Sequence, residues 1–318
     1  MNTLFFYSMN SCIMLILVII MSLITVAFLT LFERKIMGMY HIRLGPNKVS
    51  IFGILQPFSD ALKLINKEFF FPNKSNLNIF MLSPMLMFLL SLLMWMIYPF
   101  QTNLLMFNYS TLYFLSIMSM GVYGLIFTGW SSNSNYSMIG AIRSIAQSIF
   151  YEINFAILIL IILMMINTLN LFNIQLFNKY NFLMFLFPMI LLFISILAEI
   201  NCTPFDLSES EFELISGFNI EYASSKFILI FLAEYSSILI MILLFSMIFF
   251  LTPNMNIQFY LIMTLIFFFI TWIRMTLPRL RYDKLMILCW TFMLPMTLIS
   301  FMNYLIVYKL NCDLILFN

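Results

Sequence analysis

Three glutamates, Glu152, Glu199 and Glu234, lie inside or at the ends of otherwise apolar runs. An ionised carboxylate there costs several kcal/mol and usually marks a proton or ion path. A denser group follows the same theme. The stretch AEINCTPFDLSESEFELISGFNIEY, residues 198–222, holds Glu199, Asp206, Glu209, Glu211, Glu213 and Glu221, six of the thirteen acids, and no Lys or Arg falls between Lys179 and Lys226. Carboxylates gathered away from water favour sharing protons over holding separate charges, which is what a relay needs. The plainer alternative is that each glutamate only bonds a neighbouring helix. Glu209, Glu211 and Glu213 alternate with Ser210 and Phe212, a period of two that would split them across a helix, so a loop lining a cavity suits them better.

Arginines supply the complement. Arg34, Arg43, Arg143, Arg274, Arg279 and Arg281 stay charged at any physiological pH and offer rigid donors to carboxylate or carbonyl oxygens. Their ordinary role is to pair with the acids or to flank membrane ends. Other chemistries lack their residues. The four cysteines, Cys12, Cys202, Cys289 and Cys312, are too widely spaced for a CxxC or an iron–sulfur run, and the single His41 cannot supply paired haem ligands. No glycine-rich phosphate cradle occurs among the eight glycines. Metal, dinucleotide and nucleoside triphosphate sites are therefore not expected on this chain.

The elements that must hold these groups are membrane helices. Of 318 residues, 63% are hydrophobic and 9% charged, with apolar runs of about 20 residues recurring along the chain, the composition of a polytopic membrane protein. A formal charge of +2 argues against a nucleic-acid partner. The 38 Phe and 28 Met beside only 8 Gly suggest AT-rich organelle coding rather than a packing requirement. Hydropathy predicts eight spans, at about 10–31, 78–99, 111–129, 140–166, 181–199, 227–251, 257–274 and 288–309. The first run lacks a basic start and a small-residue cleavage site, so it reads as a retained span. The expectation is an all-α polytopic fold forming a single membrane domain over 1–318, with eight transmembrane helices and one amphipathic interfacial helix between the first and second.

Its two ends differ. Thirteen of the fifteen basic residues fall on one side, in or beside loops at about 33–77, 130–140, 200–226 and 275–287, and twelve of the thirteen acids lie there or in the spans opening onto it. The positive-inside rule makes this the side of insertion, the matrix if the organelle is a mitochondrion, which leaves both termini on the intermembrane-space side. Residues 51–72, IFGILQPFSDALKLINKEFFFP, set Ile51, Ile54, Leu55, Phe58, Leu62 and Ile65 against Asp60, Lys63, Lys67 and Glu68 at helical spacing. Such a segment lies along the interface or roofs a cavity.

Four blocks are more specific. LTLFERKIMGMYHIRLGPNKVSIFGILQPFSDALKL, GWSSNSNYSMIGAIRSIAQSIFYE, AEINCTPFDLSESEFELISGFNIEY and TLPRLRYDKLM, in this order, closely resemble the NADH–ubiquinone oxidoreductase chain 1 family, the mitochondrially encoded quinone-site membrane subunits of respiratory complex I. The resemblance implies eight tilted helices in the mitochondrial inner membrane around a narrow chamber for the ubiquinone head group. It implies no cofactor on this chain, with flavin mononucleotide and iron–sulfur clusters in partner subunits. Carried over by motif, Glu33, Arg34, Arg43, Asp60 and Lys63 line or brace the chamber, Arg143 and Gln147 lie further in, and Arg274, Arg279, Arg281 and Asp283 border its entrance. Glu152, Glu199, Asp206, Glu209, Glu211, Glu213, Glu221 and Glu234 resemble the acids that link the chamber to the antiporter-like subunits.

The implied function is that of a non-redox subunit coupling quinone reduction to proton translocation. The implied partners are peripheral-arm quinone-site subunits, small and antiporter-like membrane subunits, ubiquinone, and phospholipid including cardiolipin. The alternative is a stand-alone proton or cation transporter using the same acids. The chain departs from the family in two places. EINCTPFD stands where ETNRTPFD is usual, so Cys202 replaces an arginine and Ile200 a threonine. ESEFELISGFN stands for EGESELVSGFN, placing Ser210 and Phe212 at positions where smaller residues are typical.

Overall fold

Apolar runs in lipid must satisfy every backbone N–H and C=O internally, and helices do this within one segment. The computed structural model describes residues 2–98, 107–171, 173, 184–206, 219, 221–250 and 257–316, with their side chains apart from those of 2–5, 8 and 311–316. All regular structure among them is helical. In order, these are α1 (Asn2–Tyr40), α2 (Gln56–Ile65), α3 (Leu77–Met94), α4 (Ser110–Ser132), α5 (Asn135–Ile166), α6 (Leu186–Glu199), α7 (Ser224–Phe250), α8 (Ile257–Thr276), α9 (Tyr282–Ile287) and α10 (Leu294–Leu316). A six-residue π-helical segment, Leu288–Met293, makes α9 and α10 one continuous rod. Among the described residues seven rods are long and apolar enough to cross a membrane, and α6 is a shorter apolar helix. The polytopic all-α expectation holds.

Two predicted boundaries shift. Helix α1 continues past its apolar run to Tyr40, carrying Glu33 and Arg34 on helical backbone, because nothing from Phe32 to Met37 breaks a helix. The amphipathic segment shrinks to α2. Phe52 and Gly53 take φ of +56° and +75° before it, and the stretch from Lys67 to Asn76 is non-helical after it. Gly53 is required there, since a Cβ would lie 2.1 Å from the Pro46 carbonyl oxygen.

The centre is built from α5 and α7. Helix α5 packs on α4, α6 and α10, while α7 packs on α3, α8, α1 and α2. Close approach of α4 to its neighbours rests on glycine, as a Cβ on Gly129 would fall 2.2 Å from that of Ala141 and one on Gly124 would fall 2.6 Å from Met87 Cγ. The half of the bundle far from the charged loops is filled by Phe114, Phe155, Leu158, Ile162, Leu192, Met241 and Phe259, all at most 2% exposed. Exposed Ile16, Leu17, Ile20, Met21 and Ile24 leave one face of α1 for lipid.

Candidate functional site

Four arrangements occupy the charged end. The first centres on Glu33 of α1, only 4% exposed. Arg274, in the last turn of α8, forms an ion pair with Glu33 Oε1, and the Tyr235 hydroxyl of α7 donates to Oε2 at 2.8 Å. Three helices thus meet on one fully satisfied carboxylate, and the arginine lies at the helix end whose dipole favours a cation.

A second, more exposed knot joins α1 to α2. Arg34 donates to Asp60 Oδ2 at 2.5 Å, Gln56 Nε2 donates to Asp60 Oδ1 at 2.9 Å, and Lys35 Nζ donates to the Phe52 carbonyl at 2.6 Å.

The third ties the turn after α6 into the bundle. Gln147 of α5, wholly buried, donates through Nε2 to the carbonyls of Ala198 and Phe205, both at 2.7 Å. The Leu280 N–H donates to Pro204 O at 2.9 Å, and Arg279 lies 3.4 Å from buried Asp206. Cys202 sits inside this turn. It lies within electrostatic range of Arg274, Glu33, Asp206 and Glu234, and burial pushes its thiol from the usual 9.0 up to about 12. Where the resembled pattern has an arginine, this chain therefore holds a neutral group among three acids and one cation.

The fourth is a cavity of about 110 Å³ between α3, α4, α5, α6 and α7. Glu199, Glu234, Asn201, Ser148, Ser237 and Ser91 supply its polar wall. Gly121 leaves it open, as a Cβ there would meet nothing within 4 Å. Glu199 Oε2 and Asn201 Oδ1 are buried with no protein donor. Buried acceptors of this kind call for a partner, and a water fits in roughly 10–15 Å³ of such space, so there is room for a short water chain. Glu152 of α5 lies within electrostatic range of Glu199.

The structure therefore brings together Glu33, Arg274 and Tyr235; Arg34 and Asp60; Arg279 and Asp206; and Glu199, Glu234 and Glu152. Other candidates lie outside these four arrangements. Arg43 and Lys63 are exposed. Arg281 and Asp283 pair with each other at 3.0 Å on the surface. Arg143 is half-buried, its guanidinium 6.0 Å from the Tyr282 ring. Glu221 is half-buried just before α7. Glu209, Glu211 and Glu213 lie outside the described residues. Among the described residues no three His, Cys, Asp or Glu side chains converge as a metal site.

Sequence reasoning missed Tyr235, Asn201, Gly121 and Tyr222. The adjacency of Tyr235 to Glu234 is a signal, but an ambiguous one on an all-round apolar helix. Tyr222 is a hub. Its hydroxyl lies 3.0 Å from both Ser83 and Ser131 and donates to the Thr128 carbonyl at 3.2 Å. Burial holds its phenol above the ordinary range.

Comparison with known proteins agrees along the length of the chain. A family model described as NADH dehydrogenase matches residues 13–305. NADH-ubiquinone oxidoreductase chain 1 of Aedes aegypti is 50% identical over 292 residues, 91% of this chain and 92% of the relative. The proteins of the same name from Locusta migratoria and Apis mellifera ligustica are 49% and 48% identical, over 94% and 91% of this chain and 94% of each relative. With a membrane-helix bundle, a polar cluster at one end and near-complete coverage at this identity, the chain belongs to the NADH-ubiquinone oxidoreductase chain 1 family.

Proposed function

We propose that this chain is the membrane subunit of respiratory complex I that frames the ubiquinone chamber and moves protons away from it through buried carboxylates, holding no redox centre itself. The names of its relatives support the reaction. The observation that carries the proton role is the cavity shared by Glu199 and Glu234, where one carboxylate oxygen has no protein donor.

In this reading the chamber wall is formed by Glu33, Arg34, Asp60, Arg274 and Arg279, with Gln147 bracing the turn behind it and Arg43, Lys63, Arg143, Arg281 and Asp283 bordering the mouth. Ubiquinone is the substrate. Flavin mononucleotide and iron–sulfur clusters in partner subunits deliver the electrons, and inner-membrane phospholipid including cardiolipin surrounds the helices. The charged end faces the matrix, and both termini face the intermembrane space. A charge change beside Glu33 is felt at Cys202 and, through the same electrostatic neighbourhood, meets the field of Glu234. Glu199, Glu234 and Glu152 answer by exchanging protons through the cavity. Asp206, Glu209, Glu211, Glu213 and Glu221 form the carboxylate-rich segment whose protonation and conformation shift together.

The test is Glu199→Gln and Glu234→Gln in assembled complex within sealed inner-membrane vesicles. Proton pumping per NADH oxidised by ubiquinone should fall at least about tenfold, while NADH oxidation by an artificial acceptor at the flavin continues. Unaltered pumping stoichiometry in both variants rejects the relay. Cation transport by the purified chain alone would favour the stand-alone transporter instead.

A further inference from the structure

Lys226 lies in the first turn of α7 and is 4% exposed. A cation at that end is repelled by the helix's own positive pole. Its Nζ has no hydrogen-bond partner. What faces it instead are three phenyl rings, with centroids 4.4 Å (Phe69), 4.2 Å (Phe71) and 4.2 Å (Phe80) away. The negative faces of such rings attract a desolvated ammonium at this range.

The three rings come from two places. Phe69 and Phe71, packed edge to face at 4.8 Å, belong to the connection between α2 and α3. Phe80 is a fully buried residue of α3, and Tyr222 stacks on it at 4.3 Å. The hydroxyl of Tyr222 bonds α3 and α4, so the inner part of this assembly is anchored to the bundle. Its outer part, the ammonium against Phe69 and Phe71, holds the connection after α2 to α7. In its middle α2 carries Asp60, the partner of Arg34.

We propose that Lys226 is a positioning residue: its caged ammonium clasps residues 66–76 to the seam of α3 and α7 and so fixes α2 beside the Glu33 cluster, setting the width of the slot through which ubiquinone enters. The clasp itself stands on geometry; its effect on quinone rests on the chamber reading above. Lys226→Met keeps the stem and removes the charge, whereas Lys226→Arg keeps a cation that stacks on aromatic faces.

In intact complex, amide hydrogen exchange across residues 66–76 should quicken roughly tenfold in Lys226→Met and return toward the parent rate in Lys226→Arg. The KM for ubiquinone should rise several-fold in Lys226→Met with kcat changed less than about twofold, and Lys226→Arg should restore it. Unchanged exchange in Lys226→Met overturns the clasp, as does failure of Lys226→Arg to restore it. Faster exchange with an unmoved KM upholds the clasp and overturns the chamber reading of the neighbouring cluster. Should Lys226→Met not assemble, Phe71→Leu removes one ring face at a partly exposed position; quickened exchange is again expected, and an unchanged rate contradicts the proposal.

Discussion

Glu33 and Glu199 are carboxylates at the same end of the bundle, each on an apolar helix, yet their surroundings are opposite. Glu33 has a guanidinium on one oxygen and a phenol on the other. Glu199 has an oxygen buried against a cavity with no protein donor. A carboxylate held by a cation from one helix and a hydroxyl from a second is fixed in place, and it joins three helices. A carboxylate beside space, near two others of its kind, is the one to which the proposed relay assigns a moving proton.

The contrast breaks most clearly at Glu33. Glu33→Ala leaves Arg274 without its counter-charge, which costs about 3–5 kcal/mol in a fully buried pair; because the arginine side chain is 34% exposed, roughly 2–3 kcal/mol is expected for this one, read as lost thermal stability of the complex. Gly121→Leu sharpens the other side. With open space at its Cβ, the change should cost no more than about 1 kcal/mol. By filling the cavity it should nonetheless slow the proposed proton transfer several-fold, measured as pumping per NADH in sealed vesicles. Glu199→Gln should change stability by less than about 1 kcal/mol, since no ion pair is lost. A cost above that of Glu33→Ala would invert the comparison. Arg281→Ala, at a surface pair with side chains 74% and 61% exposed, should shift stability by under about 0.5 kcal/mol.

Cys202 adds a pH test between the two regions. Burial pushes its folded thiol from the usual 9.0 up to about 12. The folded state therefore keeps a proton that the unfolded chain releases, so its contribution to stability is intact below pH 9 and is lost as pH climbs toward 12. Alkylation by iodoacetamide at pH 9 should be at least about tenfold slower in the folded complex than in the detergent-denatured chain. Equal rates would place the thiol in solvent.

The spans were legible because lipid imposes a simple rule on composition, and the eight apolar runs match seven long rods and α6. Glu152, Glu199 and Glu234 were legible for the same reason, as rare charges in greasy helices. The extension of α1 to Tyr40 was not, because hydropathy ends at Phe32 whereas helix propensity does not. The shortening of the amphipathic segment to α2 was hidden too. Its periodicity runs through Phe52 and Lys67, while the backbone at Phe52 and Gly53 is left-handed and brings Gly53 against the Pro46 carbonyl.

Residue types along the chain determined the membrane class, the charged end and which carboxylates are costly, since each follows from the transfer of single groups between water and lipid. Partnership was decided only by the packed helices. The separation of Glu33 from Arg274 by 241 positions, the donor from Tyr235, the open flank of Gly121 and the three rings around Lys226 arise where distant segments meet. Linear order carries no record of which side chains come within about 4 Å, and at that range one glutamate gains a guanidinium and a phenol while another is left facing a cavity.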